Sequence, residues 1–159
     1  MDFWMVSSRE LPHGLASIFT ALTDLLYQYD WVISDTNLYF LPETPEAVKK
    51  RWSWTGLLME GQELARHLAE GYVHIVCGGV FSAVPKGTRA AQVNGYMPVW
   101  EIDKFGSSEY TFQIPLTQLE ILNYDGYAWV LICGPEFSAK VQKALPQAKR
   151  PDAYYAAYG

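Results

Sequence analysis

Glu63 and His67 are the two side chains whose spacing comes closest to a chemical function. They lie four residues apart in a stretch that predicts a helix, so both project from one face. A carboxylate and an imidazole placed in this way can share a divalent metal ion. No second histidine or cysteine stands at a matching spacing, and the pattern favours a solvated helix face with a Glu–His pair. The sequence therefore predicts neither a metal site nor a cofactor.

Nucleophilic catalysis has little support in the sequence. His74 and Cys77 lie three residues apart on a predicted strand, where alternation sends their side chains to opposite faces and prevents a Cys–His dyad. None of the serines stands in a Gly-x-Ser-x-Gly setting. We therefore assign no catalytic residue, and the sequence favours a protein that is not an enzyme without deciding the question.

Residues 85–89, which read Pro-Lys-Gly-Thr-Arg, form a basic loop after a predicted strand. Backbone N–H groups in such a loop could hold an anion, with Lys86 and Arg89 adding positive charge. The loop lacks the Walker pattern and does not clearly open a helix. An ordinary surface turn is the favoured interpretation.

The composition predicts one folded domain. Of the 159 residues, 50% are hydrophobic and 18% are charged, against about 25% charged residues in a typical domain. This length and apolar content suit a single domain, 1–159, with a sizeable core, and they exclude global disorder. Residues 150–159 form a tyrosine-rich tail.

Charge and hydropathy limit the partners and the location. The net charge of −5 repels phosphate backbones, and Lys49-Lys50-Arg51 is too short for a nucleic-acid arm, so we expect no nucleic-acid partner. No apolar run approaches the roughly 18 residues of a membrane span, and the first residues do not read as a signal peptide. Cys77 and Cys133 both lie in apolar strands, which favours free thiols in the cytoplasm.

Hydrophobic periodicity predicts an α+β fold with a mixed, mainly antiparallel sheet and two to three helices packed on it. Turn formers at Asp35-Thr36-Asn37 indicate a hairpin between two short strands. Gly78-Gly79 interrupts a long strand and predicts a bulge or a close backbone approach. The expected elements are helices over 13–29, 60–70 and 135–144, short strands at 31–33 and 38–40, and a long strand over 72–84.

Residues 119–133, which read LEILNYDGYAWVLIC, predict a second hairpin. Asp125-Gly126 favours a two-residue turn, because both positions of a type I′ turn need positive φ. That turn would pair Leu122 with Trp129 and would place both on one aromatic face with Tyr124 and Tyr127. A solvated sheet face should be polar. We therefore expect the chain's own helices, its tail or a partner to cover this one.

The order of these features resembles a family of small uncharacterised bacterial proteins, domain of unknown function 2691. The resemblance spans most of residues 13–145 and implies a single cytosolic α+β domain. It implies no activity and no catalytic residues. The stretches that carry it are Trp31-x-Ile33, Tyr39-Phe40, Glu60-Gly61-x-x-Leu64, Tyr72-x-x-Ile75 running into Ala83-Val84-Pro85-Lys86-Gly87, and the hairpin through Asp125 with Trp129-x-Leu131.

Two functions follow as hypotheses. The first is a non-enzymatic protein-binding module, of the immunity or antitoxin type, that binds another protein or a second copy of itself. Its expected surface is aromatic and consists of Tyr72, His74, Leu122, Tyr124, Tyr127 and Trp129. The second is a small-ligand-binding protein or an enzyme, with a pocket near Gly78-Gly79. Its expected lining residues are Lys86, Arg89, Glu63 and His67.

Overall fold

A computed structural model of the chain describes residues 1–53, 56–100 and 104–159. Six strands form one sheet in the order β1-β6-β5-β4-β2-β3, and each of these neighbouring pairs is antiparallel. The strands are β1 Asp2–Ser7, β2 Tyr29–Phe40, β3 Leu57–Glu60, β4 Val73–Pro85, β5 Leu119–Tyr124 and β6 Ala128–Cys133. The helices are α1 Leu15–Ala21, α2 Leu25–Gln28, α3 Glu46–Trp52, α4 Gly61–Glu70, α5 Ala90–Val93, α6 Pro135–Ala144 and α7 Pro151–Tyr158.

The α+β class and the mainly antiparallel sheet are confirmed, whereas the expected number of helices is wrong. The described residues contain seven α-helices instead of two to three. One reason is that the stripe over 13–29 breaks into α1 and α2, because Leu22 leaves helical geometry at φ −101° and ψ 59°. Another is that the tyrosine-rich tail is itself helical. None of the described helices combines the length and apolar composition that crossing a bilayer requires.

β2 is one continuous strand, so the hairpin expected around residues 35–37 is wrong. Asp35 does adopt the left-handed conformation of a turn residue, at φ +52°, but the chain kinks there and does not reverse. β4 pairs with β2 on both sides of the kink and keeps the strand extended. Gly78 meets the kink at φ +67°, where an added Cβ would lie 2.8 Å from the Asp35 carbonyl oxygen. The close backbone approach predicted at Gly78-Gly79 is confirmed.

The hairpin of β5 and β6 forms, but its register differs from the expected one. Asp125 and Gly126 have φ +45° and +74°, as a type I′ turn requires. Tyr127 is an additional loop residue, so Leu122 pairs with Val130 and not with Trp129. Because side chains alternate along a strand, this one-residue shift moves Trp129 to the other face of the sheet.

The chain itself covers both faces of this hairpin. On one face, Trp129 and Leu131 belong to a large core under α1, α2, α4 and α6. On the other face, Leu122 and Val130 pack with Phe3 and with Tyr154 of α7. The carboxylate of Glu120 is buried on this second side and accepts hydrogen bonds from Ser82 Oγ at 3.1 Å and from the Tyr110 hydroxyl. These bonds satisfy buried carboxyl oxygens that would be costly to bury without a hydrogen-bond partner.

Substitution of Gly78 by Ala tests the kink, with Gly71→Ala as the matched control. Both glycines have φ +67°, but a Cβ at Gly71 would meet nothing within 4 Å. We expect Gly71→Ala to lower the free energy of unfolding by about 1 kcal/mol through left-handed strain alone. Gly78→Ala should lower it by about 2–4 kcal/mol, because the clash with the Asp35 carbonyl adds to the strain. Urea unfolding measures both values, and equal losses would contradict the close approach.

Candidate functional site

A cleft of about 610 Å³ opens where β3 stops pairing with β2. β3 pairs only with residues Asp30 to Ile33, so the rest of β2 continues alongside β4 alone. We call this cavity the Asp35 cleft. Its hydrogen-bonding residues include Ser34, Asp35, Thr36, Asn37, Asn123 and Asp125, and its apolar residues are Leu38, Phe40, Trp52 and Trp100.

Asp35 fixes one wall of the Asp35 cleft. Its carboxylate oxygen Oδ2 accepts a hydrogen bond of 3.2 Å from the Trp100 backbone N–H, and the neighbouring Ser34 Oγ donates to the Pro98 carbonyl. Strands β2 and β4 hold Asp35 in its left-handed conformation from behind. The kink in β2 therefore directs the carboxylate toward residues 98–100 and attaches that segment to the sheet.

Gln113 holds the same wall from the other side. Its side-chain amide forms two bonds with the backbone of Val99: Nε2 donates to the carbonyl at 2.6 Å, and Oε1 accepts from the N–H at 3.0 Å. The Trp100 ring lies 5.3 Å from the Tyr124 ring and 5.4 Å from the Phe105 ring, measured between centroids. Residues 98–100 are thus held by side chains and not by a strand pairing.

The tip of the β5–β6 hairpin supplies a further part of the lining. Asn123 is 5% exposed, and its Oδ1 accepts a 2.8 Å hydrogen bond from the Gly126 N–H, which fixes the turn. Among the described non-glycine residues, only Asp35 and Asp125 have positive φ, and both line the Asp35 cleft. Such conformations are uncommon outside glycine and concentrate at functional sites.

Trp52 forms the back of the Asp35 cleft and is held by His67. The Trp52 indole N–H donates a 2.7 Å hydrogen bond to His67 Nδ1. His67 is 2% exposed, so the expected solvated Glu–His face is wrong. Burial is the main cause that lowers the pKa of His67, and the nearby Arg66 contributes in the same direction. The imidazole is therefore neutral at neutral pH, as its role as an acceptor requires.

Glu63 serves a structural ion pair. Its carboxylate accepts hydrogen bonds from Arg51 at 2.8 and 3.1 Å, which joins α4 to α3. With Glu63 occupied by Arg51 and His67 by Trp52, the two residues do not converge on a common ligand. No group of three or more His, Cys, Asp or Glu side chains in the described part of the chain is arranged to hold a metal ion.

The structure does not assemble the expected pocket of Gly78-Gly79, Lys86 and Arg89. Gly78 borders the Asp35 cleft, but Lys86 follows the far end of β4, eight residues further along the chain or about 26 Å at 3.3 Å per residue. Lys86 Nζ donates to the Tyr27 carbonyl at 3.4 Å, and the Arg89 backbone begins α5. The loop does bind an anion, but that anion belongs to the chain: the Gly87 N–H donates to Asp30 Oδ2 at 2.7 Å.

The six residues of the expected aromatic surface are also dispersed. Leu122 and Trp129 are 1% and 3% exposed and lie on opposite faces of the sheet. His74 is exposed beside Tyr39 and lines a second cleft of about 760 Å³, where Trp129 forms part of the wall. Tyr72 is half-buried and immediately precedes β4. Two pairs of the six residues remain together: His74 with Trp129 in the second cleft, and Tyr124 with Tyr127 near the tip of the hairpin.

Tyr124 and Tyr127 join the C-terminal helix in a group that we call the tyrosine cluster. Its members are Tyr124, Tyr127, Tyr154, Tyr155 and Tyr158, and they line a hollow of about 270 Å³ with Arg9. Tyr154 is buried toward β1, which raises the pKa of its hydroxyl, and its ring lies 4.9 Å from that of Tyr158. Pro151 at the first helical position is the sequence signal that could have predicted α7.

Comparison of the chain with protein-family models, with curated proteins and with solved structures finds no significant match. The resemblance to domain of unknown function 2691 therefore stays a prediction.

Substitution of His67 by Asn tests the neutral imidazole behind Trp52. Below about pH 6.5, the ordinary pKa of histidine, the unfolded chain binds a proton that the buried native imidazole resists. The free energy of unfolding of the wild-type protein should therefore fall as the pH falls, by at most about 1.4 kcal/mol per pH unit for one proton. The substituted side chain keeps an acceptor near the position of Nδ1 without titrating, so we expect H67N to show a flatter profile between about pH 7 and about pH 5.5. Parallel profiles in urea unfolding would overturn this assignment, since His13 and His74 are common to both proteins.

Proposed function

We propose that this chain is a non-enzymatic binding protein that takes a small organic ligand in the Asp35 cleft. The observation that carries the proposal is convergence: side chains from β2, β4, α3, the hairpin tip and residue Trp100 meet around one cavity. Ligand sites are typically concave, with volumes of about 300–1,000 Å³, apolar walls and a few placed polar groups. The Asp35 cleft has this combination.

Two other cavities have a different character. The second cleft contains His13 and His74 but no carboxylate among its described lining residues. A third cavity, of about 350 Å³, lies between α1, α2 and α6 and is mainly apolar, with Lys140 and Lys143 in its lining. Only the Asp35 cleft brings together two carboxylates, two carboxamides and aromatic walls within the described residues.

Binding is a simpler use of the Asp35 cleft than catalysis. Its described lining has no histidine to act as a general base near neutral pH. The Cys77 thiol accepts a hydrogen bond from Asn37 Nδ2 at 3.3 Å and has no imidazole partner among the described lining residues. We place the protein in the cytoplasm in the same proposal, because Cys77 and Cys133 are both free thiols.

Filling the Asp35 cleft should abolish ligand binding. Asn37 is an exposed residue of β2 that lines the cleft. Tryptophan is favourable in strands, so Asn37→Trp should fill the cleft without disturbing β2. In a thermal-shift screen against metabolites, a ligand of the native state raises the melting temperature, by an amount set by its concentration over Kd. We expect compounds that raise the wild-type value by several degrees to leave Asn37→Trp unchanged.

Tyr39→Trp is the matched control for this screen. Tyr39 lies two residues further along β2, is 51% exposed and does not line the Asp35 cleft. The control variant should respond to ligands as the wild-type protein does. If hits stabilise Asn37→Trp as much as Tyr39→Trp, ligand binding occurs elsewhere and the proposed site is wrong.

A second candidate function is recognition of another protein, of the immunity or antitoxin type, through the tyrosine cluster. Tyr127, Tyr155 and Tyr158 are 75%, 46% and 46% exposed and lie beside Arg9. Tyrosine and arginine are enriched among the residues that dominate binding energy at interfaces. In this proposal the cluster replaces the dispersed aromatic surface, and it retains two of that surface's residues, Tyr124 and Tyr127.

Removing exposed tyrosines should weaken protein complexes. We expect Tyr127→Ala combined with Tyr155→Ala to raise the Kd of a complex by about 30-fold or more, because even one hot-spot truncation costs about 2 kcal/mol or more. Sedimentation velocity over a range of concentrations detects self-association, and cross-linking in native lysate detects other partners. Tyr27→Ala, at a 54% exposed tyrosine outside the cluster, is the control. Complexes that persist equally in both variants would exclude the cluster as the interface.

A further inference from the structure

We infer that the ligand of the Asp35 cleft is an organic cation, in which an amine or guanidinium group is joined to an apolar body. This inference rests on the proposed function and adds to it the chemical class of the ligand. It follows from the charge of the cavity, the hydrogen-bonding state of its carboxylates and the character of its walls.

The charge of the Asp35 cleft is negative on its described lining. Asp35 and Asp125 contribute two carboxylates, and no Lys, Arg or His is among the described lining residues. Within residues 1–53, 56–100 and 104–159, Asp35 Oδ1 and both carboxylate oxygens of Asp125 have no hydrogen-bond partner in the chain. A ligand that displaces water from these oxygens must replace their hydration, and a cationic donor does so best.

Other ligand classes fit this cavity less well. An anion would face two like charges without a compensating base in the described lining. A bare metal ion lacks a suitable group of ligating side chains in the described part of the chain. A neutral polyol could bond to the carboxamides of Asn37 and Asn123 but would leave the charges of Asp35 and Asp125 unbalanced. The cation is therefore the class that the carboxylates select.

The size and the walls of the Asp35 cleft call for a ligand larger than an ammonium ion. A cavity of about 610 Å³ has room for an organic body, and Leu38, Phe40 and Trp52 give that body apolar surface to pack against. Removal of apolar area from water favours binding. The carboxylates then determine the charge of the ligand, and the apolar residues favour its organic part.

The Asp35 carboxylate and the Asp125 backbone are held in place before any ligand arrives. The Asp35 carboxylate is fixed by its bond to the Trp100 N–H, and the backbone of Asp125 by the turn that Asn123 stabilises. Such preorganisation lowers the entropic cost of binding. It also allows a direct test by Asp→Asn substitution, because asparagine tolerates positive φ. In Asp35→Asn, the side-chain carbonyl oxygen would still accept the hydrogen bond from the Trp100 N–H. Asp→Asn changes at these positions remove charge while keeping the backbone.

The test uses three probes with one body and different charge: 2-phenylethylamine, 2-phenylethanol and phenylacetate. Titration calorimetry or NMR titration gives the Kd of each for the wild-type protein, Asp35→Asn, Asp125→Asn and Asn37→Trp. Asp152→Asn is the control, because Asp152 is exposed in the first turn of α7 and does not line the cleft. We expect the amine to bind the wild-type protein and the control at least about tenfold more tightly than the alcohol, since a charge-assisted hydrogen bond exceeds a neutral one by roughly 1.4 kcal/mol. Phenylacetate should bind most weakly.

The variants separate the ligand class from the site. Asp35→Asn and Asp125→Asn should each weaken amine binding about tenfold and leave alcohol binding unchanged, while Asn37→Trp should abolish both. If amine and alcohol bind the wild-type protein equally and Asn37→Trp still blocks them, the cationic class is wrong and the proposed site stands. If Asn37→Trp binds the probes as the wild-type protein does, or if no probe binds the wild-type protein, both the class and the proposed site are wrong.

Discussion

The close approach of the Asp35 carbonyl oxygen to Gly78, where an added Cβ would lie 2.8 Å from that oxygen, is the constraint on which the described architecture depends. It lets β2 kink without reversing, so a strand of 12 residues can pair with β4 on both sides of the kink. β3 pairs with only the first part of β2. On that side, the remainder of β2 therefore borders a cavity and not a strand. The same kink directs the Asp35 carboxylate to the Trp100 N–H, so backbone geometry and the candidate site share one cause.

The sheet is covered on both faces by different means. Helices α1, α2, α4 and α6 pack on one side through conventional apolar contacts. The other side is covered by α7 and by loop residues around Tyr110, where the buried carboxylate of Glu120 collects hydrogen bonds from Ser82 and Tyr110. The backbone of a loop lacks the regular hydrogen bonds of a helix or a sheet, so its N–H and C=O groups need other partners. Side chains such as Gln113 therefore satisfy these groups and position residues 98–100 at the cleft.

The sequence was informative where one local interaction decides the structure. Asp125-Gly126 predicted a turn with two positive φ values, and the stripe over 60–70 predicted α4. It could not decide the register of β6, because residues 128–133 read AWVLIC and are apolar at every position. When both faces are buried, alternation carries no information about which side chain faces which layer.

The candidate site was beyond sequence reasoning for a related reason. Asp35, Trp52, Trp100 and Asn123 come from segments far apart in the chain, and only the pairing of β2 with β4 and of β4 with β5 brings them to one cavity. Turn formers at 35–37 indicated special backbone geometry but not its type, because the partner strand decides between a kink and a reversal. His67 looked solvated because nothing in α4 indicates that Trp52 covers it.

The additional loop residue at Tyr127 has a consequence for how this hairpin tolerates insertions and deletions. Exposed loop tips usually accept changes in length without harm to the domain. Here, loss of one residue would turn every side chain of β6 to the opposite layer and would exchange Trp129 with the much smaller Ala128. Neither layer could accommodate the exchange at native packing density. The length of this solvent-exposed tip is therefore as strictly determined as the identity of a core residue.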